Sequence, residues 1–260
     1  MLMSAQATTR STEESTPISR PSFERTRNNN SNSSRSNRNK DLRDNNLPTV
    51  RLSKALAWLL RHNAEAQGVA IRPDGYVKIE DVLKHPKFKG YTFDDIVEVV
   101  NTNDKKRFQI LEDYEENKKY IRAVQGHSIP KVAELDHEEI TDASQLPVAV
   151  HGTSSSKWEL IKSKGLSRMN RNHIHLAVGL PGEDGVISGM RQGSDLYIYI
   201  DITKALRDGI KFYRTANNVI LSDGQDGNGV IMPQYFARVV KSSGEVIYPD
   251  PSKENTTLHP

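Results

Sequence analysis

Cysteine is absent from the chain, so neither a disulfide nor a thiolate-held metal can brace the fold, and a reducing cytosolic or nuclear setting fits. Long apolar runs are lacking as well. The stretch ALAWLL at 55–60 is far too short to cross a bilayer, and the opening MLMSAQATTRSTEEST has no apolar core of a secretory signal. Charge of one sign is also scarce. The formal net charge is +3, and the first 50 residues carry eight Lys and Arg against five Asp and Glu, a surplus of three. The remainder is near neutral, so any grip on nucleic acid must come from local clusters of basic side chains. Common cofactor signatures are missing too: no Gly-rich loop ends in Gly-Lys-Ser/Thr, no strand leads into Gly-x-Gly-x-x-Gly, and no helix carries His-Glu-x-x-His. DGQDGNG at 223–229 lacks the closing Glu of a calcium loop and reads as a turn.

What is present suffices for packed cores. A chain of 260 residues, 35% hydrophobic and 27% charged, suits two compact lobes in an α+β fold. Residues 1–47, with NNNSNSSRSNRNK, are too polar to bury a core and read as a disordered basic tail. Leu52, Ala55, Leu56, Leu59 and Leu60 then share one sector of a helical wheel. On that regular helix His62 borders the apolar stripe and Arg61 points into the polar sector, about 100° away. RPDGYVKIEDVL offers a turn, a short strand and a helix. YTFDDIVEVVNTN reads as a helix capped by Thr92 and ending near Asn103, and RFQIL and KKYIRAV read as a hairpin. Three helices followed by a hairpin is the order of a winged-helix unit, placed at 48–128. The polar KVAELDHEEITDASQLP suggests a connection over 129–146, residues 147–250 a second lobe with an antiparallel or mixed sheet, and 251–260 a short tail.

Several Arg and His residues stand in settings that chemistry could use. Arg122 closes a β-run in YIRAVQGHS and is followed closely by Gly126, His127 and Ser128; its plainest structural role is a strand-edge salt bridge to EDYEEN. His173 and His175 of HIHLA fall on one face of a strand, a pairing that could serve a metal, although no third ligand is evident. His151 ends an apolar strand beside Gly152 and Thr153, where backbone can approach a ligand and a hydroxyl can donate to it. Arg214 precedes the apolar run NVIL and reads structurally as a surface arginine.

Together, LLRH (59–62), IRAVQGHS (121–128), VHGT (150–153), GLSRMNRNHIHLA (165–177) and YRTANNVIL (213–221) closely resemble the RNA 2′-phosphotransferases of the KptA/TPT type. The resemblance spans roughly residues 50–245, and the order of the five segments is more specific than any one of them. It implies an N-terminal winged-helix lobe that binds RNA and a C-terminal, mixed-sheet lobe of the ADP-ribosyltransferase fold that binds NAD⁺. It also implies removal of an internal 2′-phosphate from spliced tRNA or other RNA. The 2′-phosphate attacks the anomeric carbon of the nicotinamide ribose and nicotinamide leaves. The 2″-hydroxyl then attacks phosphorus, giving a 2′-hydroxyl RNA and ADP-ribose 1″,2″-cyclic phosphate.

By the same resemblance Arg61, His62, Arg122 and Arg214 match the family's catalytic Arg-His-Arg-Arg set. His151, Gly152, Thr153 and His175 match its NAD segments, with Arg171 and His173 as further cofactor contacts. The physical reason is charge. A phosphate monoester carries nearly two negative charges, and the planar fork of arginine binds two of its oxygens while staying ionised. His62 could donate as imidazolium or shuttle a proton. There is no late glutamate near GVIMPQYF, which suits a reaction whose nucleophile is already an anion. The competing expectations are an RNA-binding protein with a degenerate NAD lobe, and an enzyme that caps terminal phosphates and stops after the first step. We expect a monomer acting on RNA and NAD, without a metal or membrane, in cytoplasm or nucleus.

Overall fold

The computed structural model describes residues 47–133, 137–191 and 193–249. Apart from Leu47, the tails expected over 1–47 and 251–260 lie outside the described residues. Helix α1 (Pro48–Trp58) starts with Pro48 in its first turn, where a missing N–H costs nothing, and buries Leu52, Ala55 and Leu56. Helix α2 spans Ile79–Lys84 and α3 spans Phe93–Thr102. The expected cap of α3 is a full capping box: Thr92 Oγ1 accepts from Asp95 N at 3.3 Å, while an Asp95 carboxylate oxygen accepts from Thr92 N at 2.7 Å. Strands β2 (Phe108–Asp113) and β3 (Lys118–Ala123) form the expected hairpin, and β1 (Val77–Lys78) flanks β3 on the other side. Leu56, Leu60, Ile79, Val82, Ile96, Val99 and Ile121 fill the core between these helices and the three-stranded sheet. Each such side chain contributes about 1.5–3 kcal/mol by leaving water.

The stretch expected as a connection is itself built into both cores. Ile129 and Val132 pack into the first, and Glu138–Ile140 forms β4, an edge strand of the larger sheet. That sheet has eight strands in the order β13-β12-β8-β5-β7-β10-β9-β4: β5 (Val150–Thr153), β7 (Ile174–Ala177), β8 (Leu196–Ile200), β9 (Phe212–Arg214), β10 (Val219–Ser222), β12 (Phe236–Lys241) and β13 (Val246–Tyr248) join β4. Every pairing in it is antiparallel, which corrects the mixed sheet expected from the resemblance. A small two-stranded sheet pairs β6 (Leu166–Ser167) with β11 (Val230–Ile231). Helices α4 (Trp158–Lys164) and α5 (Ile202–Arg207) bury Trp158, Ile161, Ile202 and Ala205 against the large sheet.

Polar bonds tie the second core's loops to the first. Asn172 N donates to His127 O at 2.9 Å, Asn172 Nδ2 to Ile129 O and Val132 O at 3.1 Å each, and Asn217 Nδ2 to Lys105 O at 2.9 Å. The described residues accordingly belong to one compact unit.

Candidate functional site

The helix carrying Arg61 and His62 is not regular. After Trp58 it widens into a π-helical turn, Leu59–Asn63, in which Asn63 Nδ2 takes the Trp58 carbonyl at 3.0 Å. Such i→i+5 turns occur mostly as single-turn bulges inside α-helices, and frequently at functional sites. Leu59 and Leu60 stay buried, so the wheel rightly assigned them to the core. The turn is thus not the regular helix on which the expected divergence of about 100° between Arg61 and His62 rests.

The chain leaving β3 closes over this turn. Gly126 sits at φ +89°, and a Cβ there would lie 3.5 Å from Cδ, Nε and Cζ of Arg61, so the guanidinium packs directly on that backbone. Ser128 N donates to Arg61 O at 2.9 Å, and Ser128 Oγ is hydrogen-bonded to His62 Nδ1 at 2.9 Å. Arg61 Nε and Nη2 are buried and meet no hydrogen-bond partner among the described residues. Burial, and then Arg107 and Arg171, bring the Arg61 pKa down to about 10. Burial, Arg61 and Arg171 likewise lower that of His62. His127, 3% exposed, has both ring nitrogens enclosed and without a partner among the described residues. Burial first, and then Arg61, His137, His62 and His173, push its pKa to about 3, so it is neutral at physiological pH.

The large sheet supplies the facing wall. His175 on β7 bonds through Nε2 to Gln125 Oε1 at 2.9 Å and through Nδ1 to His173 O at 3.0 Å. Burial holds its pKa well below the ordinary value. A neutral His175 donates from Nδ1 to the carbonyl and offers a lone pair at Nε2, so Gln125 must turn its amide NH₂ toward the ring. His151 on β5 donates from Nδ1 to His175 O at 2.9 Å, and burial lowers its pKa too. Arg171, lowered by burial and then by Arg191, acts electrostatically on Arg61 and His62 and also on His151 and His175. The charges acting on these four are Arg61, Arg107, Arg171, Arg191, Lys157 and a neighbouring histidine, with no carboxylate among them.

Of the other expected residues, His173 acts electrostatically on His175 and His127, and each of the rest has protein partners of its own. Arg122 is buried on β3, donates from Nε and Nη2 to Gln109 Oε1 at 3.1 and 2.9 Å and from Nη1 to Asp74 O at 3.2 Å, and lies 4.6 Å from the Tyr76 ring centroid. Arg214 donates to Asn218 Oδ1 at 2.5 Å and Gln145 O at 2.6 Å, both neutral acceptors. His173 Nε2 lies 3.2 Å from Asp223 Oδ1, which lowers the carboxyl's pKa. Thr153 O accepts from Asp195 N at 3.0 Å, and Met190 fills the space that a Cβ on Gly152 would need. Among the described residues no group of three or more His, Asp or Glu is arranged to hold a metal, and no helix is long and apolar enough to cross a membrane.

Reading the sequence for sites missed His127, Gln125, Arg107 and Arg191. Only the first two had a signal: the polar run QGHS directly follows a buried strand, where packing would favour apolar side chains.

Buried guanidinium and imidazole donors without acceptors among the described residues, with cationic neighbours, have the chemistry that suits an oxyanion such as phosphate. The family model described as RNA 2′-phosphotransferase, Tpt1 / KptA family, matches residues 48–224, and the chain belongs to that family. A tRNA 2′-phosphotransferase 1 of Danio rerio is 49% identical over 206 residues, covering 78% of this chain and 88% of its own. The tRNA 2′-phosphotransferase 1 of Homo sapiens is 43% identical over 194 residues, 74% of this chain and 76% of its own. A Schizosaccharomyces pombe relative is 50% identical over 198 residues, so the chain spans 76% of itself but 53% of that protein.

Proposed function

We propose that the protein removes the internal 2′-monophosphate of spliced tRNA or similar RNA in an NAD⁺-dependent reaction, acting as an RNA 2′-phosphotransferase. In this reading the helices and three-stranded sheet form a winged-helix RNA lobe, and the eight-stranded sheet an NAD lobe of the ADP-ribosyltransferase kind. The observation that carries it is Arg61, whose Nε and Nη2 edge is buried without an acceptor among the described residues while Arg107 and Arg171 both act on it as like charges. That edge is the bidentate face of a guanidinium and matches two oxygens of one phosphate. The family relationship supports the same substrate class.

The donor set also suits a dinucleotide pyrophosphate. Arg171, Arg191 and Lys157 act on His151, the residue next to Gly152, and none is matched there by a carboxylate. Arg171 and Arg191 would hold the anionic part of NAD⁺, with His151, Thr153 and His175 lining the approach and Met190 moving off Gly152. When bound, NAD⁺ supplies the ribose that accepts the phosphate and the nicotinamide that leaves. Arg61 orients the 2′-phosphate and screens its charge. His62, at the surface and bonded to Ser128, is free to exchange a proton there. Arg214 reaches the phosphate by giving up two neutral acceptors, so no ion pair need be broken, and Arg122 completes the grip from the RNA lobe.

The test is incubation of the full chain with NAD⁺ and a short RNA bearing one internal 2′-phosphate, following phosphate and nicotinamide. Wild type should release ADP-ribose 1″,2″-cyclic phosphate and leave a 2′-hydroxyl. Arg61→Ala, losing charged hydrogen bonds, should be slower by about ten- to a hundredfold or more. NAD⁺ and 2′-phosphate both left intact by wild type would refute the reading, and accumulation of ADP-ribosylated RNA would replace it with a capping activity.

A further inference from the structure

We propose that His127 is a direct phosphate ligand of this site and sets its selectivity for a monoester over a diester; the inference rests on the phosphotransferase reading above. The starting point is burial without reward. His127 is 3% exposed and both of its ring nitrogens lack a partner among the described residues, beside an Arg61 whose Nε and Nη2 lack one too. Four enclosed polar atoms without acceptors in one place weaken a core, so a histidine here is unfavourable unless something else uses it. A Phe or Leu would fill the same space without that penalty.

The neighbours say what would use it. Arg61, His62, His137 and His173 all act on the ring, and every one is cationic or neutral. Gly126, just before it, brings the backbone against the Arg61 guanidinium, and Ser128, just after it, is bonded to His62. The three-residue run Gly126, His127 and Ser128 thus follows the Arg61–His62 pair, with Gly126 packed on the Arg61 guanidinium, Ser128 bonded to both residues, and the His127 ring under the charge of both. His62 is the exposed member, so an anion enters from its side and displaces the His62–Ser128 bond as it settles.

Oxygen counting then gives the selectivity. A phosphate monoester presents three terminal oxygens, a diester two. The Nε and Nη2 edge of Arg61 takes two. Arg122 and Arg214 share the outward lone pairs of these oxygens, whereas on the enclosed side the third oxygen meets the neutral His127 ring, which has one N–H to give. A diester leaves that donor unmet, at the cost of an enclosed unpaired group, so the backbone diesters flanking the 2′-phosphate are rejected.

The experiment measures binding without NAD⁺, so that no turnover intervenes. Three short RNAs are compared that differ at a single internal 2′ position, which carries a monophosphate, its methyl ester, or a hydroxyl. Wild type should bind the monophosphate tightest. His127→Phe should weaken monophosphate binding by about ten- to a hundredfold and leave the other two unchanged, collapsing the preference. His127→Gln, which keeps an N–H near the same place, should restore part of it. Thermal unfolding of both variants checks the fold. A preserved monoester preference in His127→Phe, or an equal loss for all three RNAs, would overturn the assignment. If wild type releases the cyclic phosphate and His127→Phe keeps its preference, only the His127 role fails. If wild type neither prefers the monoester nor releases cyclic phosphate, the phosphotransferase reading fails with it.

Discussion

In the unfolded chain the His127 imidazole titrates near 6.5, whereas burial and the surrounding Arg61, His137, His62 and His173 hold it at about 3 in the folded one. Between those values the unfolded chain takes up a proton that the folded chain refuses. Stability therefore falls as pH drops through that window, by about 1.4 kcal/mol per pH unit for each such group. His151 and His175, lowered mainly by burial, act in the same direction. Denaturant unfolding at pH 7 and pH 5 should show a less stable protein at pH 5. In His127→Phe that difference should shrink by about 2 kcal/mol, the share of one histidine over the interval. An unchanged difference would mean that the ring is already protonated in the folded state. Residues like Arg61 and His62 were legible because an Arg-His pair interrupts an apolar helix. For His127 the only mark is the polar run QGHS after a buried strand, and its burial is not readable from that, since its environment is assembled from β3, the π turn and the loop holding Asn172. Arg122 was legible as a residue of interest but not its acceptor Gln109, which the hairpin register alone places opposite it.

At the scale of elements, local chemistry was readable and long-range pairing was not. Thr92, Asp95 and the hairpin follow from short-range rules, and the structure contains them. Strand β4 hides in a polar stretch because three residues become a strand only through β9, more than 70 residues later in sequence. The π turn hides because a wheel presumes 100° per residue. Two glycines give a test of what backbone geometry alone costs. Gly165 ends α4 at φ +84°, and a Cβ would meet Ile231 O at 2.7 Å, whereas Gly182 has φ +96° and nothing within 4 Å. Gly182→Ala should cost about 1 kcal/mol, the penalty of a left-handed backbone for an L side chain. Gly165→Ala should cost clearly more, because the β6–β11 pairing would have to shift. Denaturant midpoints of the two variants check the ordering, and equal losses would refute the clash.

For the whole molecule, the position of Arg171 relative to Arg61 depends on how the large sheet is held against the helical core. The bonds across that junction are polar: Asn172 to His127, Ile129 and Val132, Asn217 to Lys105, and His175 to Gln125. Polar bonds fix orientation more sharply than apolar contact, because each fails beyond a few tenths of an ångström. A two-sided phosphate site needs that precision, since an arginine displaced by 1 Å loses much of its effect. Asn172 is the strongest probe, because one NH₂ serves two carbonyls. Asn172→Ala leaves both without that donor and should cost about 1–3 kcal/mol. Asn172→Asp should be worse still, turning a carboxylate toward two carbonyl oxygens, so stability should rank Asn above Ala above Asp in denaturant unfolding. Release of 2′-phosphate should fall in the same order and further than stability does, because the junction aligns the two walls of the site. Activity that tracked stability one for one would mean that the junction holds the sheet on but does not aim it.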